Sequence, residues 1–225
     1  MKKFFRGVFA VLIVLAMCAC GQRGGNSTPD PATQSSPVGG VWQGTIQKDA
    51  VIGVISDSGN AQFVSNGGIN FAGTVTAVSN NISGTFSVYM PTGVFNGATS
   101  LVNGTFAQAH NISALYNGIG YNGKVKLTYL TTLIAPLTGN WVNAKGNLSF
   151  LIEAGDTFTA IDNSDGCFYS GSIMAATNFY KLAFLIKNCG KAGTYAGLGF
   201  LNSPTTFMYF VSTPDGAWSE KLARR

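Results

Sequence analysis

Few side chains in this sequence could do chemistry: four cysteines, one histidine and nine carboxylates among 225 residues. The cysteines fall into two pairs. Cys18 and Cys20 stand two residues apart in the stretch LAMCACGQRGG, and Cys167 and Cys189 lie in the last third of the chain. A cysteine pair can be a redox centre, a metal clip, a lipidation signal or a disulfide, and its surroundings decide between them.

The surroundings of the first pair indicate a lipoprotein signal. Basic residues near the start precede an apolar run about half as long as the ~20 residues that a membrane-spanning helix needs. A lipobox has a small residue directly before its modified cysteine. Ala19 before Cys20 meets this requirement, whereas Met17 before Cys18 is too large. We therefore predict a signal peptide over 1–19 and a lipid anchor, including palmitate, on Cys20, with Cys18 as the less favoured site.

The segment after the signal predicts a tether. Residues 20–38 are rich in Gly, Ser, Pro, Thr and Gln and almost free of apolar side chains. Such a segment buries too little surface to offset its ordering entropy, so we expect it to be flexible. The residue after Cys20 is Gly21 rather than the aspartate typical of inner-membrane retention, which favours the outer membrane.

The second cysteine pair is predicted to form a structural disulfide. Cys167 and Cys189 are an even pair in an exported protein, and their flanks, CFYSGSIM and KLAFLIKN, have the pattern of adjacent strands. A bond between them would close a loop of about 23 residues and contribute ~3 kcal/mol. A metal site would need more ligands, and the one histidine, His110, lies in the other half of the chain.

The remaining titratable residues give weak signals for catalysis. His110 lies in a strand-like segment without a neighbouring carboxylate, and a nucleophile elbow is absent from the sequence. Four carboxylates cluster between Glu153 and Asp165, which raises a calcium loop or a glycosidase pair as alternatives. The spacing DNSDG lacks the alternating oxygen ligands of a calcium loop, and aspartates at turns commonly cap the backbone. We therefore predict no catalytic residue, no metal site, no cofactor and no enzymatic activity.

The charge balance argues against nucleic acid as a partner. The chain carries 14 basic and 9 acidic residues, but three of the basic residues belong to the predicted signal peptide. The rest is nearly balanced and has no cluster of Lys or Arg, which phosphate-backbone binding requires.

The elements that position these residues are predicted to be strands. Short β-branched and aromatic segments recur every 8 to 14 residues, punctuated by turns such as Asn66-Gly67 and Asn103-Gly104. GVWQG at Gly40 is echoed by GNWVN at Gly139, and later segments repeat in the same order. We predict an all-β protein with two tandem antiparallel meander units, barrels or sandwiches, over 39–135 and 136–225. One composite barrel built from both halves is the alternative.

Two apolar runs indicate contacts beyond a single core. LAFLI (182–186) and FMYFV (207–211) are apolar on both strand faces, so one face lines a core and the other meets a second surface. Packing between the repeats is the favoured expectation, and a ligand or a partner is the alternative.

The Gly-x-Trp strands resemble those of lipocalins and avidins, and LTGNWVNAKGNLSFLIEAGDTFTA is similar to the first hairpin of an avidin. This resemblance implies that Trp42 and Trp141 plug the closed ends of their barrels. Biotin binding is not implied, because the second half carries only one further tryptophan, Trp218.

Over nearly its whole length the chain also resembles a group of Gram-negative outer-membrane lipoproteins with a lipobox, a tether and two Gly-x-Trp β repeats. The features that carry the likeness in the second repeat are DGCFYSGSI and NCGKAGTYAGLGF. No activity accompanies this resemblance.

These observations predict a non-catalytic binding or interaction module in the envelope, held to the membrane by its lipid. The expected partner is an unknown protein or a small apolar ligand. The alternative is a lipid-anchored inhibitor of a hydrolase such as a lysozyme or a protease, for which the stretch Met90–Ser100 is the candidate inhibitory loop.

Overall fold

The computed structural model of the chain describes residues 38–107, 110–118 and 121–225. The predicted signal peptide, the lipidation sites Cys20 and Cys18, and nearly all of the tether lie outside the described residues.

The described chain is all-β and contains two tandem eight-stranded barrels, as the sequence predicted. The first barrel comprises β1 (Gly40–Ile46), β2 (Asp49–Ile55), β3 (Asn60–Ser65), β4 (Asn70–Val78), β5 (Asn81–Tyr89), β6 (Phe95–Ala107), β7 (Asn111–Gly118) and β8 (Tyr121–Leu130). The second comprises β9 (Gly139–Asn143), β10 (Leu148–Ile152), β11 (Thr157–Asp162), β12 (Cys167–Ala175), β13 (Tyr180–Lys187), β14 (Gly193–Ser203), β15 (Thr206–Thr213) and β16 (Gly216–Arg224).

Each barrel is an antiparallel meander that closes on itself. Every strand pairs with its neighbours in sequence, and the last strand of each unit returns to the first, β8 to β1 and β16 to β9. Closure pairs the backbone groups that an open sheet would leave at its edges. The internal repeat is therefore a repeat of whole barrels, and a single composite barrel is not formed.

The strands alternate with period two, which separates an inner from an outer face. In β13, Leu182, Phe184 and Ile186 are buried inside the barrel while the residues between them are exposed. The interior of each barrel is a cluster of buried apolar and aromatic side chains, which provides the main driving force for folding.

The two Gly-x-Trp tryptophans occupy matching places. Trp42 is 1% exposed and its indole N–H donates to the Val38 carbonyl oxygen at 2.9 Å. Trp141 is fully buried and its indole N–H donates to the Leu137 carbonyl oxygen at 2.5 Å. In both cases the acceptor lies four residues earlier. The indole hydrogen bond therefore holds the segment that enters each barrel against the tryptophan.

The barrels contact each other through the outer faces of β1–β3 and of β14–β15. The apolar layer between them consists of buried side chains from both units: Val41, Val54, Val64, Phe179, Leu198, Phe200 and Phe210. Gln62 from β3 lies within this layer. Its side chain donates to Ser212 Oγ at 2.7 Å and accepts from the Leu198 N–H at 3.0 Å.

This interface accounts for one of the two apolar runs. In FMYFV, Phe207, Tyr209 and Val211 line the second barrel, and Phe210 faces the first barrel. In LAFLI, by contrast, the outward face is exposed to solvent, including Leu185 at 37%.

Candidate binding site

Several cavities of the described chain differ in shape and lining. Inside the first barrel an apolar void measures about 30 Å³, room for about one water molecule. An open groove of about 610 Å³ follows the outer face of β1–β3 as far as Met208. An open notch of about 290 Å³ lies between the inter-barrel linker and the Trp141 end of the second barrel, where Tyr180 donates to and accepts from the backbone of Ala135.

The remaining cavity is polar and lies at the opposite end of the second barrel from Trp141. It measures about 50 Å³. Its polar lining comes from five separate segments: Asp162 at the end of β11, Tyr169 on β12, Lys191 before β14, Tyr209 on β15 and Glu220 on β16. We call this region the polar end. It is where charged groups enter an otherwise apolar barrel interior.

Asp162 is held in place by its own turn. The residue is 8% exposed, and its Oδ1 accepts from Asn147 Nδ2 (2.6 Å), Ser164 Oγ (2.6 Å) and the Ser164 N–H (2.9 Å). Burial by itself would raise the pKa of Asp162, but these hydrogen bonds outweigh it and the net pKa is lowered. Asp162 is thus a fixed carboxylate in a buried position.

Glu220 is shifted the other way. Burial raises the pKa of its carboxyl group, Lys145 opposes this shift, and the nearby Asp162 carboxylate adds to it. Two carboxyl groups of one cavity therefore have pKa values moved in opposite directions. The charge on Glu220 is the less well stabilised of the two.

Two tyrosine hydroxyls at the polar end lack protein partners. Tyr209 is 3% exposed and Tyr169 is 6% exposed, both line the cavity, and neither hydroxyl forms a hydrogen bond with another described residue. Burial raises the pKa of both phenols, and neighbouring carboxylates, including Asp162 and Glu220, raise it further, so both are neutral. Neither hydroxyl oxygen is among the fully buried polar atoms without a partner, so both are open to the space of the cavity that they line.

The rim of the polar end is formed by the ammonium group of Lys191 and the ring of Trp218 beneath it. Lys191 Nζ lies 2.9 Å from Asp165 Oδ2 and 5.9 Å from the centre of the Trp218 ring. Tyr195 packs edge-on against Trp218, with ring centres 5.1 Å apart, and its hydroxyl donates to the Lys191 carbonyl oxygen at 2.8 Å. The ammonium of Lys191 thus covers the cavity from the solvent side.

The predicted disulfide between Cys167 and Cys189 is confirmed, and it supports this rim. The two Cα atoms are 5.0 Å apart, and the bond ties the start of β12 to the turn that carries Lys191. Among the described residues, one group of potential metal ligands lies close together, Asp165 with these two cysteines. Its sulfur atoms are bonded to each other, so this group offers no thiolate to a metal.

The first barrel supports the rim from outside. The turn between β5 and β6 pairs Val94 with Gly216, and Gly93 approaches the Trp218 indole so closely that a Cβ atom would lie 2.4 Å from its Nε1. Gly93 has a φ of 86°, which also favours glycine. The prediction of an inhibitory loop over Met90–Ser100 is wrong for its second half, because β6 begins at Phe95. The turn before β6 contacts the second barrel, while Met90, Val94 and Phe95 keep 40–61% of their surface exposed.

The other residues considered for chemistry are dispersed. His110 is exposed in the turn before β7, with its ring 5.0 Å from that of Tyr129. Glu153 accepts from Thr157 Oγ1 within the β10–β11 turn, and Asp165 accepts from the Cys167 N–H. Both carboxylates bond a group in their own turn, as the sequence suggested for the cluster, and Asp165 also pairs with Lys191 at the rim.

Sequence reasoning missed Glu220, Tyr169, Tyr209 and Lys191 and treated Asp162 as a turn residue alone. A signal for the two carboxylates was present. Asp162 follows Phe158 and Ala160 in the inward phase of β11, and Glu220 lies between Trp218 and Leu222 in that of β16. A carboxylate in the apolar phase of a strand indicates a polar interior.

Comparison of the chain with family models, with curated proteins and with solved structures finds no match. Within the described part of the chain, no helix has the length and apolar character to cross a bilayer.

Proposed function

We propose that this protein is a lipid-anchored, non-catalytic binding module of the bacterial outer membrane, and that its ligand site is the polar end of the second barrel. The anchor and the location rest on the lipobox at Cys20 and the tether that follows it. The site rests on one observation above all: two tyrosine side chains and two carboxyl groups line one cavity, and no hydrogen bond between described residues joins these four groups.

The chemistry of the polar end favours binding over catalysis. Asp162 is fixed by three hydrogen bonds and its pKa is lowered, so it is a poor proton donor near neutral pH. Both tyrosines are neutral, because their pKa values are raised. Polar groups that converge from separate rigid strands are held in fixed positions, as a binding site requires.

Stability measurements can separate a ligand site from a structural network. Groups that are kept for ligand binding lower the stability of the ligand-free protein. Tyr209→Phe removes a hydroxyl that faces the cavity and bonds no other described residue, so we expect the free energy of unfolding to stay nearly unchanged. Glu220→Gln removes a carboxylate with a raised pKa, so we expect the free energy of unfolding at neutral pH to rise.

Tyr180→Phe is the matched control, because the Tyr180 hydroxyl bonds the backbone of Ala135 at the other end of the same barrel. Its loss should cost about 1 kcal/mol. The measurement is urea unfolding of the three variants beside the wild type. If Tyr209→Phe and Glu220→Gln lose as much stability as Tyr180→Phe, the polar end is structural and the proposal is wrong.

A second candidate function is inhibition of a hydrolase by the turn at the start of Met90–Ser100. The exposed side chains of Met90, Val94 and Phe95 favour a protein contact there. Lysozyme assayed with micromolar wild-type protein and with a Val94→Ser, Phe95→Ser variant tests it. Inhibition that disappears in the variant supports this function, and no inhibition by the wild type rejects it for lysozyme.

A further inference from the structure

We infer that the polar end of the second barrel binds a small alkylammonium ion, and that Lys191 is the chain's own competitor for this place. The inference rests on the proposed function, since it names the ligand class of the same site.

The balance of charge and of hydrogen-bonding groups favours a cation with N–H donors. Within the lining, Asp162 and Glu220 supply two carboxylates against the one ammonium of Lys191, while Lys145 acts on Glu220 from outside the lining. All three hydrogen bonds to Asp162 go to Oδ1, which leaves Oδ2 as an acceptor. The Tyr169 and Tyr209 hydroxyls can accept as well. An ammonium group has three donors and no acceptor, so it complements this lining, whereas an anion would face two carboxylates.

Size and lining narrow the class further. A cavity of about 50 Å³ holds one small polar group but no sugar or aromatic ring. Calcium would need six to eight oxygen ligands, whereas the lining also includes the apolar side chains of Leu148, Ile186 and Val211. Trp218 and the two tyrosines offer aromatic surface to the alkyl part and to the charge of an organic cation.

Lys191 shows that the rim already accepts an ammonium group. Its Nζ binds the Asp165 carboxylate and lies over the face of Trp218, the combination of acid and aromatic ring that recognises amines. The Lys191 side chain is 38% exposed, so it can turn toward solvent without losing a buried contact. An incoming ammonium would replace it and reach the deeper acceptors, Asp162, Glu220 and the tyrosine hydroxyls.

This competition predicts substitutions with opposite effects. Glu220→Gln removes a charged acceptor and should weaken binding of n-propylammonium by about tenfold or more. Lys191→Met removes the competing charge and should strengthen binding about two- to fivefold, the range expected for a partly exposed charge. A purely structural role of Lys191 at the rim predicts weaker binding instead. Lys181→Met, on the exposed outer face of β13, is the matched control and should leave the affinity unchanged.

The experiment is a titration of the full mature protein in detergent with n-propylammonium chloride at neutral pH, followed by tryptophan fluorescence. Trp218→Phe serves as the blank, because Trp42 and Trp141 lie away from the cavity. Propan-1-ol tests the need for charge, tetramethylammonium the need for N–H donors, and calcium chloride an inorganic cation. Saturable binding of n-propylammonium alone, with the expected variant effects, supports the inference.

Two results would overturn the inference. One is the absence of saturable n-propylammonium binding in both the wild type and Lys191→Met, and the other is an equal response to calcium or tetramethylammonium. If either is found while Glu220→Gln and Tyr209→Phe keep or gain stability, the ligand class is wrong and the proposed function stands. If those two variants lose stability, the proposed function fails first.

Discussion

The two barrels share a strand count, a topology and a buried Gly-x-Trp tryptophan, yet their interiors differ at one end. The closing strands show this difference residue by residue. Trp42 pairs with Tyr129 on β8, and Trp141 pairs with Arg224 on β16. Val125 lies four residues before Tyr129 in the first barrel, and Glu220 lies four residues before Arg224 in the second. Their neighbours on the preceding strands are Ala114 and Tyr209.

The same scaffold position therefore carries a Val–Ala pair in one barrel and a Glu–Tyr pair in the other. The first barrel is apolar where the second has its cavity, and its void holds about one water molecule. The features common to both barrels are therefore strand alternation and the buried tryptophan, whereas the interior at the other end differs between them. Polar groups in the interior are thus compatible with the shared barrel architecture.

The largest expected effect comes from moving the carboxylate to the other barrel. Val125→Glu places a carboxyl group among Ile112, Ala114 and Leu127, where the apolar cluster offers it no pairing. An uncompensated buried charge costs about 3–5 kcal/mol, so we expect the free energy of unfolding to fall by that amount at neutral pH. Urea unfolding measures it. Val125→Leu is the control, and a Glu variant as stable as the wild type would mean that both interiors tolerate charge alike.

The next prediction concerns the disulfide in the second barrel. Replacing Cys167 and Cys189 together by Ser should lower the free energy of unfolding by about 3 kcal/mol, because the bond closes a loop over a sequence separation of 22. Hydrogen exchange resolved by segment should show the loss of protection in β12–β14 and little change in β4–β7. Equal loss in both barrels would indicate that they unfold as one unit.

A smaller effect tests how strongly the barrels depend on each other. Gln62→Ala removes the side chain that bonds Ser212 and the Leu198 backbone, leaving a buried N–H without a partner. The expected loss is about 1–3 kcal/mol of unfolding free energy, measured by thermal unfolding. The exposed Gln43→Ala on β1 is the control. No loss in Gln62→Ala would show that the apolar layer alone joins the barrels.

The smallest effect is the pH dependence at the polar end. The lowered pKa of Asp162 gives stability that is present above its ordinary value of 3.8 and lost as the pH falls through the folded-state pKa. The raised pKa of Glu220 has the opposite effect. Its contribution to the free energy of unfolding is fully present below the ordinary value of 4.5 and is lost as the pH rises through the folded-state pKa. In a plot of the free energy of unfolding against pH, Asp162→Asn should flatten the acid limb. Glu220→Gln should flatten the limb at higher pH.

Unfolding measured from acid to neutral pH checks both signs. The acid limb should be shallower in Asp162→Asn than in the wild type, whose net pKa shift there comes from the hydrogen bonds of Ser164 and Asn147. Parallel curves for all three proteins would contradict the opposite shifts at the two carboxyl groups.

Much of the fold could be predicted from the sequence because its determinants are local. Strand alternation, Asn-Gly turns and the repeated Gly-x-Trp predicted two all-β units, and the even cysteine pair predicted the disulfide. The lipobox prediction for Cys20 stays a prediction. For Asp165 and Glu153 the turn-capping interpretation also agrees with the contacts, since each bonds a group within its own turn.

The candidate site could be predicted only in part. Asp162 does cap its turn through Oδ1, and that local role concealed its second one in the cavity. Glu220 lies 58 residues further along the chain, and no local pattern indicates that the two carboxyl groups share a cavity. Their meeting depends on which strands lie across the barrel from each other, which closure and strand stagger set.

The strands, their inward and outward faces and the two repeats follow from the sequence alone, because period-two alternation and turn chemistry act over a few residues. The even pair of cysteines likewise predicts the disulfide between Cys167 and Cys189. Only the tertiary structure decided that the inward-facing Asp162, Tyr169, Tyr209 and Glu220 converge at one end of one barrel. It also decided that the first barrel's Gly93 packs against Trp218. The physical reason is that barrel closure joins residues far apart in the chain, and their separation in space follows from the register of all eight strands together.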